Sequence, residues 1–356
     1  MRIIGSGKYG KAGLYTKESF RQQNLSEKSK SFLADTANFA LAKSTWSTYK
    51  TTRNHLIKCQ QQTGEDMSLP TDTSKATFFL SWLLEDRQIK PASVESYLSG
   101  LRQLHLVEGF EAPKIRTDII NTILKGAKHR SWLEEKINPK SKRLPMDLVA
   151  INLLGMELNK QAMEKSDIRL IWAVSLVAFF GSFRMGELLT DHEEEFDPTL
   201  NLLTEDIVIS KDSNSCKLLQ LKLKLPKENR TGKPVIVDLF ENNSFCPIKA
   251  IESWILSSPP REKGMPAFRL KSGAALTKKH FNAILKRCLN KNLPAGMGFF
   301  SGHSFRAGIP SMLGGLGYSS EDIMCVGRWS SNSYECYVKT ARTKRQRMAK
   351  EISSMI

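Results

Sequence analysis

The chain has 356 residues, enough for two domains, and 40% of them are hydrophobic, which places it among globular rather than disordered proteins. Its 53 Lys and Arg against 36 Asp and Glu leave a net charge of +17, an excess that favours a polyanionic partner because each neutralised phosphate releases condensed counterions. No apolar run approaches the roughly 18 residues of a membrane-spanning helix; the longest, Leu170 to Phe180, reads as a buried helix, and the Gly- and Lys-rich N-terminus does not read as a secretory leader.

Residues 1–30 read as a flexible basic arm. Gly5 to Lys11 fits the phosphate-loop pattern G-x-x-x-x-G-K. However, Ala12 stands where Ser or Thr is needed, and the residues before Gly5 are too few for the required strand. Residues 31–130 carry a helical pattern: Phe32, Phe39, Leu41, Trp46, Tyr49 and Leu56 recur at helix-like spacing. Thr71 or Asp72 caps a helix with Phe78, Phe79, Trp82 and Leu83 on its apolar face. Pro91 starts the next helix, with Val94, Tyr97, Leu98, Leu101 and Leu104 along one side, and another helix runs from Thr117 to Lys128. Basic outer faces on such helices make a small helical domain suited to lying on DNA.

Residues 131–145, with Lys136, Pro139, Lys140, Lys142, Arg143 and Pro145, read as a basic linker that lets two domains close around a duplex. The second domain spans 146–356. Helices are expected over Met146–Leu158 and Ser166–Phe180, then short strands over Asp206–Ile209, Leu218–Leu225 and Pro234–Leu239. Helices return over Pro247–Leu256, Thr277–Leu289, Ser304–Leu313, Ser320–Val326 and Ser331–Ser354. The fold class is therefore mainly α with one small antiparallel β-sheet. The six cysteines, Cys59, Cys216, Cys246, Cys288, Cys325 and Cys336, have neither CxxC spacing nor a His in a zinc pattern. They read as free thiols in a reducing compartment, and no protein-bound metal is expected.

The chemistry concentrates in Gly302-His303-Ser304-Phe305-Arg306-Ala307-Gly308 and in the later Gly327-Arg328-Trp329, Tyr334 and Tyr337. His303 and Arg306 lie one helical turn apart and face the same way. Attack on a phosphodiester builds charge on the non-bridging oxygens, which planar guanidinium groups bind two at a time. Imidazole shuttles a proton near neutral pH, and a phenol near such cations can attack phosphorus. A second arginine, Arg184, stands upstream in Gly181-Ser182-Phe183-Arg184-Met185-Gly186-Glu187-Leu188.

Taken in order, these segments resemble the tyrosine recombinase (phage integrase) family. The Gly-Arg-Trp form is similar to that of eukaryotic mobile elements of the DIRS-like and crypton types. The resemblance implies a two-domain DNA clamp, with a helical core-binding domain over 31–130 and a catalytic domain over 146–356. It implies Arg184 as the first catalytic arginine with Glu187 supporting the site, and His303 and Arg306 as the His-x-x-Arg pair. It implies Trp329 in place of a second histidine. It also implies a lysine in the β-hairpin turn that protonates the leaving 5′-oxygen: Lys227, with Lys233 and Lys224 as alternatives. Tyr337, eight positions past Trp329, is the implied nucleophile, and Tyr334 a packing residue.

The function so implied is site-specific cleavage and rejoining of double-stranded DNA through a 3′-phosphotyrosine, for integration or excision of a mobile element. It would need no cofactor and would act as a homo-tetramer on two DNA sites, with the C-terminal tail docking on a neighbour. The location would be the nucleus for a eukaryotic element and the cytoplasm otherwise. Two rivals share these residues: a type IB topoisomerase-like relaxing enzyme, and an inactive DNA-binding derivative.

Overall fold

The computed structural model describes residues 14–40, 43–115, 117–137, 142–193, 196–211, 215–224, 233–294, 298–329 and 335. It divides into two compact units, Met1–Lys140 and Ser141–Ile356.

The first unit is helical: α1 Glu27–Asn38, α2 Lys43–Thr63, α3 Thr73–Leu84, α4 Pro91–Val107 and α5 Asp118–Ile137. α3 starts where Asp72 accepts a hydrogen bond from the Lys75 N–H, and α4 starts on Pro91 at its first turn. Leu56, Phe79, Leu83, Val94, Leu98, Leu101, Leu104, Ile120 and Leu124 close into its core.

Three sequence expectations need correction here. Residues 14–30 of the expected flexible arm are ordered against the unit. Tyr15 donates from its N–H to Asn38 Oδ1 at 2.9 Å, its ring stands edge-on to Trp46, and the Ser19 hydroxyl donates to the Val107 carbonyl. Residues 1–13 lie outside the described residues. Phe32 and Phe39 are 69% and 45% exposed, so the helix-like spacing there does not mark a core. The expected linker 131–145 begins as helix: α5 runs on to Ile137, because Arg130 to Ile137 has no Gly or Pro and Arg130 pairs with Glu134 at 3.3 Å. Ion pairs Lys128–Glu95 and Lys90–Glu135 hold α5 beside α4.

The second unit is helix on helix with a small sheet to one side. Its order is α6 Leu148–Leu158, α7 Lys165–Phe180, α8 Met185–Leu188, β1 Ile207–Lys211, β2 Lys217–Leu223, β3 Val235–Phe240, α9 Pro247–Ile255, α10 Lys278–Cys288, α11 Gly302–Leu316 and α12 Ser320–Gly327. The sheet order is β1-β2-β3, antiparallel throughout. Leu219 faces Ile209 and Leu239, and Leu221 faces Ile207 and Val237, so one face of the sheet joins the core while Gln220 and Lys222 point the other way. α7 is buried nearly all round, as its apolar run suggests, and α9 and α11 pack on it. The expected helix over 304–313 is longer at both ends, starting at Gly302 and ending at Gly317 in a left-handed conformation. The expected helix over 331–354 lies outside the described residues.

Among the described residues, no helix is long and apolar enough to cross a membrane, and Cys59, Cys246, Cys288 and Cys325 are free thiols.

Candidate active site

The site is built on the turn that ends α7. Ser182 and Phe183 donate their N–H groups back to the carbonyls of Phe179 (3.1 Å) and Ala178 (2.9 Å). Ser182 is fully buried at φ 45°, a left-handed conformation that closes the helix end. The turn then presents the Gly181 and Ser182 carbonyls and the Arg184 side chain.

Arg184 precedes the single turn of α8 in extended conformation, and Glu187 reaches back to it. The Arg184 N–H donates to Glu187 Oε2 at 3.0 Å and its guanidinium donates to Oε1 at 3.2 Å. Arg328 completes the arrangement, donating to Glu187 Oε2 at 3.1 Å and to the Gly181 carbonyl at 3.2 Å while its guanidinium lies 4.4 Å from the Phe183 ring centroid. One carboxylate, with 8% of its side chain exposed, thus holds two arginines from distant segments.

α11 supplies the next pair. Asn282 Oδ1 accepts from the Gly302 N–H at 2.7 Å, and the Ser304 hydroxyl accepts from the Ser301 N–H at 3.0 Å, which fixes the helix start. His303 is half-buried and Arg306 is 1% exposed. Arg306 donates to the Ser182 carbonyl at 2.6 Å, and its guanidinium lies 4.1 Å from the centroid of Trp329. Burial pushes the His303 pKa down from its ordinary value, and the positive charges of Arg143, Arg184 and Arg306 push it the same way. The ring is therefore neutral near pH 7 and able to accept a proton.

α12, capped by Ser319, ends at Arg328 in the left-handed region (φ 54°, ψ 49°), which folds Trp329 back so that its N–H donates to the Met324 carbonyl at 2.9 Å. Gly327 has to be glycine, since a Cβ there would overlap the Trp329 ring. The indole is 8% exposed in a small satellite cluster with Ile323, Leu313 and Met324.

Arg184, Glu187, His303, Arg306 and Trp329 are thus gathered in one place. Lys227, Tyr334 and Tyr337 lie outside the described residues. Of the alternative lysines, Lys224 is turned onto the body of the unit, 3.2 Å from Asp206 and 2.6 Å from the Pro198 carbonyl. Lys233 is exposed just before β3. Two site arginines escaped the sequence reading. Arg328 had its signal inside the Gly-Arg-Trp motif itself. Arg143 falls in the stretch expected to be a linker, and nothing local to it marks the site; it arrives by pairing with Phe299 far along the chain.

No protein-family model matches the chain, and no curated protein matches it. Solved structures do. The XerH site-specific recombinase bound to its palindromic difH substrate aligns with a TM-score of 0.57 at 14% identity, covering 92% of this chain and 85% of that one. The Tn1549 transposon integrase in complex with circular intermediate DNA aligns at 0.52 and 13%, covering 96% and 98%. A lambda integrase dimer bound to a COC′ core site aligns at 0.53 and 14%, covering 86% and 92%. At these identities the likeness is one of fold, and the chain shares the fold of these recombinase and integrase structures over most of its length.

Proposed function

We propose that the chain is a site-specific DNA recombinase that cleaves and rejoins strands through a covalent 3′-phosphotyrosine. The observation that carries this reading is the convergence of Arg184, His303 and Arg306 on the α7–α8 turn, within a fold shared with DNA-bound recombinases. Arg184 and Arg306 bind the non-bridging oxygens of the scissile phosphate and stabilise the charge that grows there. The Tyr337 hydroxyl attacks phosphorus, and neutral His303 takes its proton. The bond to the 5′-oxygen breaks, and Lys227, between β2 and β3 along the chain, gives that oxygen a proton. The products are a 3′-phosphotyrosine and a free 5′-hydroxyl. The phosphotyrosine retains the energy of the broken bond, so a second 5′-hydroxyl reverses the step without ATP.

Arg306 lies under the Trp329 indole. Phosphate binding therefore exchanges an aromatic face for oxygen acceptors, and the small cluster around Trp329 lets the indole shift at modest cost. The basic helical unit contributes backbone contacts to the same duplex. Exchange between two sites requires a tetramer. The DNA is that of the mobile element encoding the chain, in the nucleus if its host is eukaryotic.

A covalent-adduct assay tests this. The protein is incubated with nicked duplexes drawn from the DNA flanking its gene, in EDTA, and quenched in detergent. The expected result is DNA-shifted protein that disappears with Tyr337→Phe and persists with Tyr334→Phe. Lys227→Ala should slow adduct formation on intact 5′-oxygen leaving groups, with Lys224→Ala and Lys233→Ala near wild type. DNA binding without any adduct would leave only the inactive DNA-binding reading.

A further inference from the structure

Residues 142–146 form a strap along the start of α11. The Phe299 N–H donates to the Lys142 carbonyl and the Leu144 N–H to the Phe299 carbonyl, both at 2.9 Å, so Arg143 and Phe299 pair as a parallel bridge. Further on, the Met146 N–H donates to the Ser304 carbonyl at 2.9 Å, inside α11 itself. Gly298 lets the two segments come this close: it sits at φ 126°, and a Cβ there would strike the Lys142 carbonyl. Arg143 is therefore mounted on backbone that is fixed relative to His303 and Arg306.

Its surroundings set it apart from the other arginines of the cluster. Arg184 and Arg328 share Glu187, and Arg306 is buried between the Ser182 carbonyl and Trp329. Arg143 is exposed, its guanidinium lies 5.9 Å from the Phe299 ring centroid, and among the described residues no carboxylate is recorded beside it. Its charge nonetheless reaches the site: it is the largest of the three arginine contributions that lower the His303 pKa. A solvent-facing cation on backbone held to the start of α11, whose charge acts on His303, is open to an incoming phosphate where the buried arginine is not.

We propose that Arg143 is a further phosphate-contacting arginine of this site, holding the DNA backbone beside the phosphate bound by Arg184 and Arg306. This rests on the recombinase reading for the identity of the ligand, but its decisive readout does not depend on strand cleavage.

The experiment measures the affinity of the full chain for the duplex over a range of salt concentrations, for wild type, Arg143→Gln and Arg143→Lys, with thermal unfolding recorded beside each. The Arg143 backbone makes the bridge, so both variants are expected to melt with wild type. Arg143→Gln should lower the slope of log affinity against log salt by about one, and Arg143→Lys should restore it. In a second arm, single neutral methylphosphonates are placed along the wild-type duplex; one next to the scissile position should lower the slope equally and have no further effect with Arg143→Gln. The acid limb of adduct formation should also move to higher pH in Arg143→Gln, since removing a neighbouring cation raises the His303 pKa.

An unchanged slope in Arg143→Gln, or no methylphosphonate whose effect depends on Arg143, overturns the proposal. Binding without adduct in wild type would refute the recombinase reading alone, because the slope still decides the role of Arg143. No binding at any salt would refute both.

Discussion

Replacing Glu187 by Gln removes a carboxylate that holds both Arg184 and Arg328 and leaves the shape of the side chain intact. Breaking a fully buried ion pair from one side costs about 3–5 kcal/mol, because the remaining charge loses its partner. Here Glu187 is 8% exposed, but the two arginine side chains keep 25% and 22% of their exposure. Water therefore offsets part of the loss, and about 2–3 kcal/mol remains. In a domain of roughly two hundred residues each kcal/mol moves Tm by about 2–4 °C, so the drop should be about 4–12 °C. Thermal unfolding followed by circular dichroism measures it, with Arg328→Met and the double variant completing a cycle. Because the two side chains share a hydrogen bond of 3.1 Å, the cycle should show coupling of about 1 kcal/mol or more. A Glu187→Gln protein melting within a degree of wild type, or strictly additive losses, would refute the idea that this carboxylate organises the site.

Trp329→Phe keeps an aromatic face over Arg306 and should stay within about 1.5 kcal/mol of wild type. Trp329→Ala empties the centre of its cluster and should cost about 2–3 kcal/mol, less than the 3–5 typical of a deep core; urea titration separates the two. For His303, the folded pKa lies below the ordinary value, so the unfolded chain binds more protons in the window just under about pH 6.5. Stability from this group is present above that pH and lost as pH falls through it, and His303→Asn should flatten the dependence of the urea midpoint between about pH 5 and 7. Covalent adduct formation should fail over the same acid limb, because protonated His303 no longer accepts the tyrosine proton.

What the sequence made legible was mostly local. The α3 helix could be read from a Thr71 or Asp72 cap and its apolar face, and the sheet from alternation in Leu218 to Leu225, because caps and period-two patterns need only near neighbours. The His303–Arg306 pairing was legible for the same reason, being one turn of helix. The extension of α5 was missed because the charged run 130–137 looks the same in a linker as on a solvated helix face. Phe32 misled because aromatic spacing marks a core only when something packs against it. Arg143 was out of reach for a different reason: it gets its place from Phe299, more than a hundred residues away.

The α7–α8 turn also bears on when the site is completed as the chain is made. Its two carbonyls and Glu187 wait for Arg306, 124 residues downstream of Ser182, and for Arg328, 141 residues downstream of Glu187. At about 5–20 residues per second, a ribosome needs roughly 7–30 s to deliver the second of these after the first half of the site has been made. During that interval the emerging chain carries its basic helical unit, Arg143 and Arg184, while Glu187 still lacks Arg328. On the recombinase reading proposed above, the order of the residues along the chain delays strand cleavage until synthesis has passed Arg328.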